Sequence, residues 1–214
     1  MAILTVVFSL LLRVNIPNYP AWFLIGILIW RFFSIATAQS LSSITGNVPL
    51  VTKVHLSRYL LVLSNNLANL YGASLEFVVM LPLLVLLGVK FTVYAVLLPL
   101  LLLVEFALIF AVSLMLSALN LRYRDFAQVW DITLQLGFFV SPLVYDVELV
   151  PARFRFLYSL NPVTALIESL RDAVLRGQLP SSFNISVLLI AIAGLMLVGF
   201  LIFRSLEWRF AEEL

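Results

Sequence analysis

The chain has 214 residues, of which 63% are hydrophobic and only 11% are Asp, Glu, Lys or Arg, with a net charge of +2. Soluble domains carry roughly 45–50% apolar and about 25% charged residues, and a globule of this size still needs a polar coat. With a mean hydropathy of +1.12, the composition excludes a soluble protein and reads as a polytopic membrane protein.

Other exclusions follow from counts. The chain has no cysteine, which removes disulfides, thiolate metal sites and thiol nucleophiles. His55 is the single histidine, so neither a zinc site nor a Ser/His triad is expected. The small net charge gives no reason to expect a nucleic-acid partner.

A helix crossing the roughly 30 Å hydrocarbon core needs about 20 apolar residues. In chain order, the segment 1–12 stops at Arg13 and reaches only about 18 Å at roughly 1.5 Å per residue. It reads as the end of a first span that begins upstream, and not as a secretory signal, because it has neither a basic start nor a small-residue cleavage site. Five fuller spans are expected at 21–44, 59–87, 91–119, 126–144 and 185–203. Between the last two, Pro151 opens a short helix at 151–160. Asn161-Pro162 then reads as an N-cap with proline at the first helical position, and Gly177 as the stop of a second helix over 162–176. In that helix Val163, Leu166, Ile167, Leu170 and Val174 take one face; Thr164, Glu168, Arg171, Asp172 and Arg176 take the other. Asp172 and Arg176 stand four apart, as an ion pair would.

The expected fold class is therefore all-α integral membrane. It has six transmembrane helices, the first truncated, and a pair of short amphipathic re-entrant helices on the outer side before the last span. One transmembrane domain covers 1–214.

Basic residues set the orientation. Lys53, Arg58, Arg122, Arg124, Arg204 and Arg209 fall in loops and a tail that alternate crossing places on one side; the opposite short loops hold Arg13 and Lys90. The tail is thus expected in the cytoplasm.

Polar residues inside the spans are the candidate site. Asn65, Asn69, Gly72 and Glu76 form one helical stripe; Arg31, Glu105, and the Asp131/Gln135 pair lie in other spans. Ionised groups at mid-bilayer cost about 2.5–3.5 kcal/mol on insertion scales, so they face protein or water. Two readings stand: a hydrated pathway, or interhelical hydrogen bonding with Arg31 neutralised by an acidic neighbour. Aromatics at span ends, among them Trp30, Phe138, Phe139 and Tyr145, read either as interfacial belt and packing residues or as platforms for sugar rings.

From Tyr19 onward the sequence resembles the membrane permease subunit of ABC-2 type exporters, in particular those exporting lipid-linked polysaccharides such as O-antigen, capsule and teichoic acid. The resemblance is carried in order by Tyr19-Pro20 with Gly26 and Trp30; Lys53-Val54 with Arg58; Arg122-Tyr123-Arg124-Asp125-Phe126; Phe138-Phe139-Val140-Ser141-Pro142; Leu160-Asn161-Pro162; and Glu207-Trp208-Arg209-Phe210-Ala211-Glu212. Leu56-Ser57 stands where such permeases usually have Phe-Pro. The resemblance implies a homodimer in the bacterial inner membrane paired with a separate ATPase, which would hold the ATP and magnesium. This fits the absence of a G-x-x-x-x-G-K-[ST] motif. It further implies that Lys53, Val54, His55, Arg58, Arg122, Arg124 and Asp125 face the ATPase. Trp30, Arg31, Asn65, Asn69, Glu76, Phe138, Phe139 and Tyr145 would line the pathway, and Asn161, Pro162, Glu168 and Arg171 would gate the exit. Export of a drug or small lipid is the alternative cargo. A membrane-embedded enzyme is the distant one, since neither G-x-S-x-G nor H-E-x-x-H occurs.

Overall fold

The computed structural model describes residues 16–47, 57–123, 125–147 and 150–207. The partial first span, Lys53, Val54, His55, Arg124 and the tail beyond Glu207 lie outside these residues. The described residues are all helical apart from connections. Four helices are long and apolar enough to cross a membrane: α1 (Tyr19–Leu41), α2 (Tyr59–Leu86), α3 (Leu98–Arg122) and α7 (Ser182–Glu207). Between α3 and α7 come α4 (Phe126–Val140), α5 (Ala152–Ser159) and α6 (Pro162–Arg171), which a π-helical turn extends over Asp172–Arg176.

The breaks follow local chemistry. Asn18 adopts a left-handed conformation, and Pro20 then sits in the first turn of α1. Gly88, with φ 83°, turns the chain after α2. The expected fourth span begins instead as a 3-10 turn over Val93–Leu97 before Pro99 starts α3. The expected fifth is cut short at Val140, because Pro142 forces Ser141 into extended backbone. The resulting α4 has 15 residues, roughly 22 Å of helix. Asn161 caps α6 as expected, its side chain accepting from the Val163 N–H at 3.0 Å. Gly177, with φ 62°, stops the π turn.

α3 is the hub, packed on α1, α2 and α7. α7 approaches it at Gly199, where a Cβ would stand 2.8 Å from the Ala111 carbonyl. Small residues bring helices close in this way where water supplies no hydrophobic drive. One apolar cluster runs through α1, α2, α3, α6 and α7. A smaller one, with Ile44, Val62, Leu121 and Phe203, gathers the end of α1, the start of α2 and the ends of α3 and α7. At the opposite end the Asn18 amide donates to the Leu87 carbonyl at 2.9 Å, and Tyr19 to Val144 at 3.2 Å. The chain therefore runs back and forth, and Arg58, Arg122 and Arg204 share one end.

α6 departs from its expected amphipathic form. Both faces are buried, Thr164 and Arg171 along with Leu166 and Leu170, because the helix lodges against α1, α3 and α7. α5 buries no residue, and Phe154, Phe156 and Leu157 are all uncovered.

Gly199→Val is expected to lower thermal stability in detergent by about 1–3 kcal/mol, the range for overpacking. Gly194→Val, where nothing lies within 4 Å, should leave the unfolding temperature in place.

Candidate functional site

α2 buries one stripe, Val62, Asn66, Ala73, Phe77, Met80 and Leu84, against α1 and α3. The polar stripe of the sequence lies along its flank, at the seam with α1. Asn65 Nδ2 donates to Ser40 Oγ at 3.2 Å, and Asn69 Nδ2 to Gln39 Oε1 at 2.9 Å. Gly72 is exposed, with open space where a Cβ would go. Glu76 pairs with Arg31 at 3.1 Å. The stripe is thus neither wholly inward nor wholly outward, because the seam satisfies its first half and leaves its second half on the surface.

Asn66 is the polar residue that pattern reading missed. Fully buried, its Oδ1 accepts from Ser40 Oγ at 2.9 Å and from Ser113 Oγ at 3.4 Å, joining α1, α2 and α3. Its place in the buried stripe was the available signal. Glu105 is also buried, and its Oε1 has no partner among the described residues. Asp131 and Gln135 are exposed on α4.

The Arg31–Glu76 pair differs from the rest of the seam. Arg31 stands 12 residues beyond Tyr19, roughly 18 Å along a helix and close to mid-bilayer depth. The two side chains remain 59% and 36% exposed. They border a groove of about 390 Å³ with Leu24, Leu28, Val79 and Leu83, and a smaller recess with Asn69 and Gly72. A charge pair in this position needs protein or water against it.

The aromatic candidates divide. Trp30 is buried: a Cβ on Gly137 would stand 2.7 Å from its ring, and it meets Phe33 and the edge of Phe138. Phe138 meets Phe139 edge to face, while Phe139 itself is exposed. Tyr145 and Tyr158 are hydrogen-bonded through their hydroxyls, and both reach the Phe139 carbonyl. Burial and the bond to Tyr158 hold the Tyr145 hydroxyl well above its ordinary pKa.

Among the gate candidates, Asn161 and Pro162 shape the start of α6, and Glu168 and Arg171 build a sealed cluster. Arg171 has no exposed side-chain area. It donates to Glu168 Oε1 at 2.8 Å and to the Trp22 carbonyl at 3.3 Å, and its guanidinium carbon lies 3.2 Å from the Trp22 ring centroid. Gly26 makes the room, since a Cβ there would meet Arg171 Nη2 at 2.9 Å. Burial draws the Arg171 pKa down to about 10, with Glu168 opposing; the group stays charged at neutral pH. Arg176 binds Glu168 at 2.8 Å and Asp172 at 2.7 Å. Burial works against its charge, yet these carboxylates hold its pKa above the ordinary value.

At the other end, Arg122 closes α3 and stacks over exposed Tyr123, 5.5 Å from the ring centroid. Asp125 starts α4 without a side-chain cap, and Arg58 precedes α2. The structure brings these three to the same end. Among the described residues no group of three or more His, Cys, Asp and Glu side chains is placed to hold a metal.

The ABC-2 type transporter family model matches residues 1–175. An O-antigen export system permease protein RfbA of Klebsiella pneumoniae is 31% identical, aligned over 97% of this chain and 80% of its own length. A second protein of that name from Klebsiella pneumoniae is 29% identical over the same shares. One from Myxococcus xanthus is 28% identical over 100% of this chain and 83% of its own. The match covers most of the chain, and the chain belongs to the ABC-2 type transporter family.

Proposed function

We propose that this chain is the permease subunit of an ATP-driven exporter that moves a lipid-linked polysaccharide across the bacterial inner membrane. It would act as a homodimer of six-span subunits with a separate ATPase, its tail in the cytoplasm and α5 lying in the outer leaflet. ATP and magnesium would sit on the partner. The observation that carries this reading is the Arg31–Glu76 pair, half open to its surroundings at mid-span depth. Facing lipid it would stand in hydrocarbon, so the face must border a water-filled path or a second copy. Asn69 and Gly72 on the same face extend the polar lining. An isologous dimer would set two such faces opposite one another and enclose a path between them. The O-antigen export role of the relatives supports a glycan cargo.

Energy would enter at the end that gathers Arg58, Arg122 and Asp125. Nucleotide on the partner can drive transport only by favouring one arrangement of the spans over another. The Asn66–Ser40–Ser113 junction joins α1, α2 and α3 toward that end, and α1 and α2 also carry the exposed pair. Co-reconstitution with the ATPase should give nucleotide-dependent appearance of a lipid-linked glycan in the vesicle lumen. Movement of a small apolar drug without the glycan would replace this cargo assignment.

The absence of native cysteine permits direct mapping of the path. A membrane-impermeant maleimide should label Gly72→Cys and Asn69→Cys, with a rate that nucleotide changes. Ile190→Cys, on the exposed outer face of α7, should react only with a lipid-soluble reagent. Glu76→Gln leaves Arg31 uncompensated and should lower transport by about tenfold or more, the scale of a loss of 1.4 kcal/mol. The exchange Arg31→Glu with Glu76→Arg should restore part of it in the vesicle assay.

Reversal of charge at Lys53 and Arg58 together should weaken co-purification of the ATPase without reducing the amount of chain in the membrane. Equal recovery of the ATPase would move the docking surface elsewhere.

A further inference from the structure

We propose that the cavity between the start of α1 and the π turn after α6 binds the phosphate group of a membrane lipid. The cavity holds about 630 Å³ and is lined on its polar side by Asn18, Trp22, Lys90, Asp146, Arg171 and Arg176. Val89 and Leu175 are among its apolar lining. It lies away from the Arg31–Glu76 groove, with which it shares no lining residue.

Position selects the class of ligand. The cavity is bounded by the residues that enter α1, those that leave α2 and the loop after α4. Spans leave the hydrocarbon there, at the level where lipid phosphates stand, so this inference rests on the membrane-spanning reading of these helices. An apolar side next to a cationic side suits a headgroup together with the first atoms of its tail. The volume falls in the usual range for small-molecule sites, about 300–1,000 Å³.

The hydrogen-bonding inventory selects the charge. Three cations line the cavity against one carboxylate. Glu168 and Asp172 are engaged by Arg171, Arg176 and Gln178. Asp146 acts on Arg171 as a counter-charge. Lys90 is exposed and makes no hydrogen bond or ion pair among the described residues. Arg171 and Arg176 are thus already paired with carboxylates; Lys90 is the cation left to a ligand, and the ligand it suits is an acceptor. Lys90 and the 39% exposed Arg176 are the groups a phosphate would touch. Arg171 stands behind them as a fixed charge, its field little screened by water.

The same phosphate chemistry has two sources, a glycerophospholipid of the bilayer or a polyprenyl diphosphate carrying cargo. Native mass spectrometry of the full chain, released from detergent with phosphatidylglycerol, diacylglycerol or polyprenyl diphosphate, tests the site and separates the sources. Phosphatidylglycerol should be retained and diacylglycerol lost. Lys90→Gln should cut retention about fivefold, the effect of roughly 1 kcal/mol per basic residue at a lipid surface, and Lys90→Arg should restore it. Lys90 is exposed and makes no hydrogen bond or ion pair among the described residues, so an unchanged unfolding temperature validates the variant even if Arg176→Gln unfolds. Displacement of phosphatidylglycerol by polyprenyl diphosphate assigns the site to the cargo carrier, and the reverse preference assigns it to the bilayer lipid. Equal retention of phosphatidylglycerol and diacylglycerol overturns the proposal, as does indifference to Lys90→Gln or displacement by inorganic phosphate alone. Binding is read without transport, so a failed vesicle assay bears on the exporter reading and leaves this one standing.

Discussion

Hydrocarbon offers no partner to a polar atom, and in this chain that constraint decides how the helices stand against one another. Burial of apolar side chains cannot choose the arrangement, since lipid is as apolar as leucine. The choice falls to the few groups that must be satisfied inside protein. Ser40 illustrates it: its hydroxyl donates back to the Ala36 carbonyl and meets both Asn65 and Asn66 of α2, fixing the rotation of α2 about its own axis. Thr37 accepts from the Trp130 indole at 3.2 Å, bringing α4 to the same face of α1. Asn120 donates to the Leu41 carbonyl at 2.9 Å and locks the end of α1 to the end of α3. Each such bond is worth about 0.6 kcal/mol. Their value is in direction, because each is satisfied in one packing and broken in a rotated one.

Helix positions were legible in the sequence wherever length or a proline decided them. Asn161-Pro162 and Gly177 delimit α6 and its π turn as expected. The expected and observed starts of the second-to-last long element agree at Phe126, and its early end was also written in the chain, in Ser141-Pro142. Burial was less legible. The periodicity of α6 separates an apolar from a polar face, but it says nothing of what will stand against the polar one. Trp22, which covers Arg171, lies 149 residues upstream. Asn66 was less legible, because the polar stripe through Asn65 and Asn69 runs one residue away from the buried stripe through Asn66 and Ala73.

The candidate site was legible as chemistry and not as geometry. Arg31 with an acidic neighbour was one of two readings the sequence left open, and Glu76 is that neighbour. The pairing answers the charge question but not the pathway question, since it brings both groups to a surface and not to the interior. Trp30 shows the converse. Its aromatic character suited a sugar platform, yet Gly137 lets α4 close directly over it, and in this conformation it serves helix packing. A glycine one helix away therefore decides what a tryptophan can contact, and no spacing within α1 could have shown it.

The two arginine–glutamate pairs show how burial separates structure from function. Arg171 has every route to solvent closed: an aromatic face on one side, Glu168 at 2.8 Å, and the α1 backbone across Gly26. A pair sealed in this way is complete within one chain, and removing either partner leaves a buried charge, a loss of about 3–5 kcal/mol. Arg31 and Glu76 form the same kind of pair at 3.1 Å but keep 59% and 36% of their side chains uncovered. The uncovered part is what remains to be satisfied, and nothing else in the described chain covers it. A completed pair has no need of a partner; an uncovered one at mid-span depth acquires meaning only from what lies opposite, water or a second surface. The contrast places the stable anchor of the bundle at Arg171 and its unfinished face at Arg31.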